Sequence, residues 1–457
     1  MGYGRLLWNL FRLRRNAGKN RKQVEKLQQK KLRDMIRYAF ENSEYYHRIY
    51  SKAGVTRDNI ESFPVEKLPP VDKKILIENY EEIVCRERLN QEELAEFAAA
   101  CEDMKRTYHG DYHLVHSSGS TGKPRFYVYD DDAWDQMLVG IIRGALWDMS
   151  FFQVMKLLLC RPRMLYIAAT DGRYGGVMAV GDGIDGLKAR QLHLDINDSL
   201  QEWCSAIQKF KPNIVIGYPS ALKILAGLVE QGKMDAKFSR IITCGEPLSQ
   251  GLRTYLETVF GINIVNFYGA SESLALGVET DPAEGMVLFD DLNYIEVIDG
   301  QMYVTCLYNK VQPLIRYRLS DRLSLKEDVS AAAGNCHFTR AFSILGRDED
   351  MMWFEDQNGN HEFLHPLAIE GICIEGIIDY QFRQTAKDAF ELSVETEENA
   401  DLEKVGRELP ELIDSILEKK LKFVRYRIRY VEQIKPNPKT GKKPLILAGI
   451  IANLLSA

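Results

Sequence analysis

The stretch His116–Asp130, HSSGSTGKPRFYVYD, gathers the residue types that bind phosphate. Ser117, Ser118, Ser120 and Thr121 supply hydroxyls, Gly119 and Gly122 expose backbone N–H groups, and Lys123 adds a point charge. The spacing is not that of a Walker loop, which needs a Gly five positions before its Gly-Lys pair and a Ser or Thr after the Lys. Here those places hold Ser117 and Pro124. Pro124 blocks continuation into a helix, and RFYVY then reads as a strand, so the loop joins two strands. Taken alone, a turn of this composition also arises for backbone reasons.

A second set of chemistry-bearing residues stands at the ends of three short apolar runs. These are NIVIGY from Asn213, SRIITCG from Ser239 and INIVNFYG from Ile262. The first two are followed by segments of helical apolar spacing that stop at Gly, which is the alternation of βαβ units and a parallel sheet. Ligands of such sheets bind outside the carboxyl ends of the strands. Those ends carry Gly217-Tyr218-Pro219, Gly245-Glu246-Pro247 and Tyr268-Gly269-Ala270-Ser271-Glu272. A flat base could lie against Tyr268 while Glu272 faces a cation; on position alone, core packing for Tyr268 and a solvated loop acid for Glu272 stand equally open.

The rest of the chain supplies the frame. YIEVIDGQMYVTCLY alternates about an Asp-Gly turn and predicts a hairpin, and PLIRYRLSDRLSL predicts a strand interrupted at Asp321. Beyond Arg347 a hairpin over Asn358-Gly359, a strand FELSVET, a helix near Leu402–Lys420 and a strand RYRIRYVEQI form a small α+β module. The 457 residues allow about two to four domains. Hydrophobic residues at 45% and a net charge of −6 fit a globular enzyme without a nucleic-acid partner. Eight scattered cysteines without a Cys-x-x-Cys pair argue against structural zinc and a disulfide framework, so the expected location is cytoplasmic. The run Arg5–Arg33 is basic, with one Glu, and its Leu6, Leu7, Leu10 and Leu13 lie near helical spacing. Two readings follow: a solvated helix packed on the main body, or a basic amphipathic helix touching membrane or partner. Arg12, Arg14 and Arg15 interrupt its apolar residues, so it is read as neither signal peptide nor membrane span.

The ordered series SSGSTGKP, GEPL, NFYGASES, IRYRLSDR, LGRDED and PKTGKK resembles the acyl-adenylate-forming superfamily, and most nearly its phenylacetate–CoA ligase-like and capsule-biosynthesis-type branch. The resemblance covers nearly the whole chain. It implies an α/β large domain over 1–345, with parallel subdomains plus β-hairpins, and a small mobile α+β domain over 346–457. It implies ATP, Mg²⁺ and CoA, and a two-step reaction in which a carboxylic acid becomes an acyl-adenylate and then an acyl thioester. Carried over by position, Ser117 to Lys123 hold the pyrophosphate; Gly245, Glu246 and Pro247 line the adenine; and Tyr268 stacks beside it with Gly269 and Ser271 in the same motif. Glu272 binds magnesium, Asp321 accepts from the ribose hydroxyls, Arg347 supports ribose and phosphate, and Lys442 reaches the α-phosphate. Transfer to a carrier-protein thiol or an amine is the alternative second step, and a nucleotide-binding relative without catalysis is the alternative class. Dimerisation rests on the family alone.

Several positions depart from the family pattern. The hinge residue is Glu349 where relatives usually have Asp. The segment VSAAAGNCHFTR offers only Cys336 and His337 where relatives often bind zinc, so no metal is expected there. Arg173 and Tyr174 fall where relatives place acyl-pocket residues, and an Arg there suits a substrate with a second carboxylate or a surface salt bridge. Trp134 and Tyr218 are candidates for an aromatic pocket wall, with core packing the default for both.

Overall fold

The computed structural model of the chain describes residues 3–86, 89–100, 106–117, 125–159, 162–168, 190–196, 198–246, 248, 250–326, 336–345, 352–364, 366–369, 372, 374–435 and 445–447. Its strands are β1 (Tyr112–Ser117), β2 (Arg125–Asp130), β3 (Arg163–Ala168), β4 (Arg190–Asp195), β5 (Ile214–Gly217), β6 (Arg240–Thr243) and β7 (Ile264–Ala270). There follow β8 (Ser273–Glu279), β9 (Met286–Leu288), β10 (Asn293–Ile298), β11 (Gln301–Cys306), β12 (Tyr317–Leu325) and β13 (Arg340–Leu345). The C-terminal strands are β14 (Met352–Glu355), β15 (His361–Leu364), β16 (Ile377–Ala386), β17 (Ala389–Thr396), β18 (Arg425–Val431) and β19 (Ile446–Leu447).

One mixed sheet of 11 strands runs in the order β10-β11-β12-β13-β9-β8-β7-β6-β5-β3-β4. Strands β4, β3, β5, β6 and β7 pair parallel, and from β7 onward every pairing is antiparallel. β5 is buried along its whole length, as expected of a parallel strand covered on both faces. The helices Pro219–Glu230 and Gln250–Phe260 link β5 to β6 and β6 to β7, matching the helical spacing of their sequences. The hairpin about Asp299-Gly300 is β10–β11, and it extends this sheet. Strand direction therefore changes after β7 without a break in the sheet.

The β1–β2 hairpin is a separate two-stranded unit. Side-chain amides fasten it to the body. Gln312 accepts from Val128 N (3.0 Å) and donates to Phe126 O (3.1 Å), and Asn309 donates to Val128 O (2.9 Å).

The basic N-terminal run forms the helices Tyr3–Ala17 and Arg21–Asn42, the second started by a capping box of Asn20 and Gln23. Leu6 and Leu13 are buried against the body, whereas Leu7 is exposed, so Leu7 does not belong to the buried stripe that the leucine spacing suggested. Arg143 and Asp291 form a buried bidentate pair (both contacts 2.9 Å), and Arg143 also donates to Leu13 O (3.1 Å). Asn16 joins the same carboxylate (3.0 Å). This cluster ties the first helix to the sheet.

Beyond the large sheet, β14 and β15 make a hairpin and β18-β17-β16-β19 make a four-stranded sheet covered by the helix Leu402–Glu418. Phe382, Phe390, Leu392, Leu409 and Ile413 form a hydrophobic core distinct from that of the large sheet. Trp203 meets Phe363 edge-on (6.2 Å), and Lys420 donates to Ile196 O (2.6 Å), so the two units touch there. Among the described residues no helix is long and apolar enough to cross a membrane.

Candidate active site

β7 and β8 are joined by the two-residue turn Ser271-Glu272, with Ala270 paired to Ser273. This turn closes the parallel half of the sheet, and Glu272 is only 8% exposed there. Alternate residues of β2 point at it, because a strand repeats its face every second residue. Tyr127 donates to Glu272 Oε1 at 2.8 Å, and the Arg125 guanidinium lies 3.4 Å from the same oxygen. Tyr129 donates to Ser271 O at 3.1 Å. Burial first, then the Glu272 charge, pushes the Tyr127 phenol well above its ordinary range, so it stays a neutral donor. Tyr317, within 3.5 Å of Arg125, is pushed up to about 12 by burial and by Glu272.

A second carboxylate is held by a phenol nearby. Tyr268 on β7 donates to Asp321 Oδ2 at 2.9 Å and lies 3.3 Å from Met302 Sδ. Burial and then Asp321 keep this phenol protonated. Asp321 stands where the β11–β12 register slips, from Tyr303 opposite Arg318 to Gln301 opposite Arg322. Gln301 bridges the irregularity by donating to the carbonyls of Leu319 and Asp321. The interruption seen in the sequence is thus a bulge, a device that re-aims a side chain. Gly269 has no room for a side chain, since a Cβ there would lie 2.4 Å from Leu274 O.

The third strand end lies on β6. Gly245 has φ +82°, and a Cβ on it would sit 2.5 Å from the Tyr218 ring, so both backbone and contact demand glycine. The Glu246 carboxylate accepts from Ser220 N (3.0 Å) and Ser220 Oγ (2.9 Å) at the start of the helix Pro219–Glu230. Its side chain is therefore engaged in fixing that helix against the strand end. β5, β6 and β7 are neighbours, so Tyr218, Gly245 and the Tyr268–Glu272 segment share one sheet edge.

Ser117 closes β1 opposite Arg125, so the antiparallel stems of the hydroxyl-rich loop are in place. Trp134 is buried in the core at 2% exposure, stacked on His113 (4.6 Å) and close to Tyr129. Ser118, Gly119, Ser120, Thr121, Gly122, Lys123, Arg173, Tyr174, Pro247, Arg347, Glu349 and Lys442 lie outside the described residues. Arg125, Tyr127 and Tyr317 escaped the sequence reading. For Arg125 and Tyr127 the signal was present in the alternation R-x-Y-x-Y of RFYVY, which sets Arg125, Tyr127 and Tyr129 on one strand face.

A magnesium ion bound with a nucleotide needs only one or two protein carboxylates, because phosphates and water supply the remaining oxygens. Glu272 fits that demand. Its Oε1 is occupied by Tyr127 and Arg125, and among the described residues Oε2 accepts no hydrogen bond.

No protein-family model matches the chain. The chain is 24% identical over 448 residues to the phenylacetate-coenzyme A ligase of Thermus thermophilus, covering 91% of each. It is 26% identical over 373 residues to that of Aromatoleum evansii, covering 76% of this chain and 74% of the relative. These similarities support the acyl-adenylate-forming superfamily, in its phenylacetate–CoA ligase-like branch. The fold agrees: 2-hydroxyisobutyryl-CoA ligase in complex with 2-HIB-AMP and CoA matches over 97% of this chain and 93% of that one, with a TM-score of 0.62 at 19% identity.

Proposed function

We propose that the protein activates a carboxylic acid, aryl or related, with ATP, forming an acyl-adenylate and pyrophosphate, and then transfers the acyl group to the thiol of CoA. The observation that carries this reading is the convergence of three features at one sheet edge. These are the hairpin stems flanking the Ser/Gly loop, the Glu272 turn held by Tyr127 and Arg125, and the Asp321–Tyr268 pair. In the first step the acid's carboxylate oxygen attacks the α-phosphorus and the bond to pyrophosphate breaks. In the second, the thiol sulfur attacks the acyl carbon, AMP leaves, and the thiol proton passes to solvent.

The residues do this by positioning charge. Asp321, oriented by the Tyr268 hydroxyl, accepts from the two ribose hydroxyls. Glu272 holds magnesium, which neutralises phosphate charge when bound. The Ser117–Lys123 loop cradles the departing pyrophosphate, and Lys442, on the small module beyond Gly346, offsets charge at the α-phosphate. Little covalent work falls to the protein in such a transfer, so orientation and electrostatics supply the rate.

The test is exchange of labelled pyrophosphate into ATP, screened over a library of carboxylic acids, followed by AMP release with and without CoA. Acid-dependent exchange, with CoA accelerating AMP release, is the expected result and names the acid. No exchange with any acid would sink the catalytic reading. Exchange without a CoA effect would move the second step to another acceptor.

A further inference from the structure

The helix Tyr3–Ala17 has two opposed faces. Leu6, Asn9, Leu13 and Asn16 are buried against the body. At 3.6 residues per turn, Leu7, Trp8, Phe11, Arg12 and Arg15 fall on the other side, and all five are exposed. Trp8 is 67% and Phe11 61% exposed, with their rings 6.4 Å apart. Two large aromatic side chains side by side in water call for a covering partner.

The charge beside them says what kind. Arg15 continues the aromatic stripe into a cleft between the first two helices, which it lines with Lys19, Gln23, Lys26, Leu27 and Lys30. Lys22 is exposed close by. Among the described residues, Arg12, Arg15, Lys19, Lys22, Lys26 and Lys30 form no ion pair. Glu25, the one acid of Arg5–Arg33, is held by Arg21 at 2.8 Å. The acids nearest the start of the first helix, Asp132 and Asp135, are taken by Arg5. A cluster of uncompensated cations thus surrounds an aromatic pair on a chain whose net charge is −6.

We propose that this face docks the protein on an anionic lipid bilayer. Trp8, Phe11 and Leu7 enter the boundary between headgroups and acyl chains, and Arg12, Arg15, Lys19, Lys26 and Lys30 meet the headgroup phosphates. An amphipathic aromatic ring suits that boundary, and each basic side chain near an anionic leaflet adds attraction. The face is presented rigidly, because Arg14 donates to Leu146 O (3.1 Å) and Met149 O (2.9 Å) and Arg143 grips Leu13 O. A second copy is a poor occupant, since apposing two such faces would bring uncompensated cations together.

The test is co-sedimentation of the full chain with phosphatidylcholine vesicles, with and without phosphatidylglycerol, at low and high salt. Binding only to the vesicles containing phosphatidylglycerol, reversed by salt, is expected. Each basic residue should contribute a factor of ~5 in partitioning, so Arg12→Ala/Arg15→Ala/Lys26→Ala/Lys30→Ala should lose at least ~100-fold. Trp8→Ser/Phe11→Ser should lose ~10-fold or more through the apolar contribution. All these side chains are exposed, and an unchanged thermal midpoint confirms that each variant is folded. No binding to phosphatidylglycerol vesicles, or wild-type binding by both variants, overturns the proposal. A concentration-dependent dimer that Trp8→Ser abolishes, without vesicle binding, overturns it in favour of a second copy.

Discussion

Replacing Lys420 by methionine removes a buried ammonium while keeping the length of the side chain. Lys420 is 3% exposed; its Nζ lies 3.4 Å from the centroid of the Phe363 ring and 3.9 Å from Glu362 Oε2. Burial is the main influence on it, opposed by the charges of Glu362, Asp195 and Asp198 and reinforced by Lys419, and the amine falls from 10.5 to about 8. In the unfolded chain the same amine titrates near 10.5, so between about pH 8 and about pH 10.5 the unfolded chain holds one more proton. Stability contributed by this residue therefore rises with pH across that window, and its full cost is present below it. That interval corresponds to roughly 3 kcal/mol. Urea unfolding followed by fluorescence from about pH 7 to about pH 10.5 should show the wild type gaining up to that amount on Lys420→Met. Lost packing shifts the variant's curve by a constant and leaves the slope alone. Adding Glu362→Gln removes the first of these acids and should run parallel to the single variant above pH 8. Parallel curves for wild type and Lys420→Met would refute the argument that burial depresses this amine.

Other outcomes follow from the site. Gly245→Ala places a Cβ 2.5 Å from the Tyr218 ring at φ +82°, so stability should fall by at least ~1 kcal/mol and the KM for ATP should rise, with Tyr218→Ala relieving part of the loss. Tyr268→Phe keeps the ring but frees Asp321, and should raise the KM for ATP by about tenfold or more with the KM for the acid unchanged. Arg143→Leu strands the fully buried Asp291 carboxylate and should lower unfolding free energy by about 3–5 kcal/mol, with early proteolysis of the first helix as a second readout. Lys442→Ala should slow adenylation by at least ~100-fold, measured in a single turnover; wild-type speed would remove the lysine from the mechanism.

The parallel half of the sheet was legible because its strands are short continuous apolar runs and its helices repeat at 3.6 residues. NIVIGY, SRIITCG and INIVNFYG each became a strand, and the edge they form holds Tyr218, Gly245 and Glu272. Pairing across the chain was not legible. Arg125 and Glu272 stand 147 residues apart, and no local pattern announces that β2 turns its polar face toward that turn. β16 was missed because its sequence IIDYQFRQTA is half exposed, leaving little apolar alternation to read. Asp321 interrupted its strand visibly, but the bulge and the Gln301 bridge needed the partner strand. Leu7 followed the leucine spacing and still faces outward, because the aromatic stripe beside it does not pack on the body.

Among the described residues, the hairpin that carries the hydroxyl-rich loop shares no backbone ladder with the large sheet. Amides from Asn309 and Gln312, together with the phenols and guanidinium on β2, clasp it to the body. The consequence is mechanical. The hairpin is coupled to the ladder under Tyr268 and Asp321 by side-chain fastenings and packing, including the helix Asp131–Ala145 that continues β2 and packs on β8, and not by strand pairing among the described residues. The two halves of the proposed nucleotide site can thus be altered at different places, one by exchanging clasp residues and the other by altering the bulge, without re-registering a strand in either.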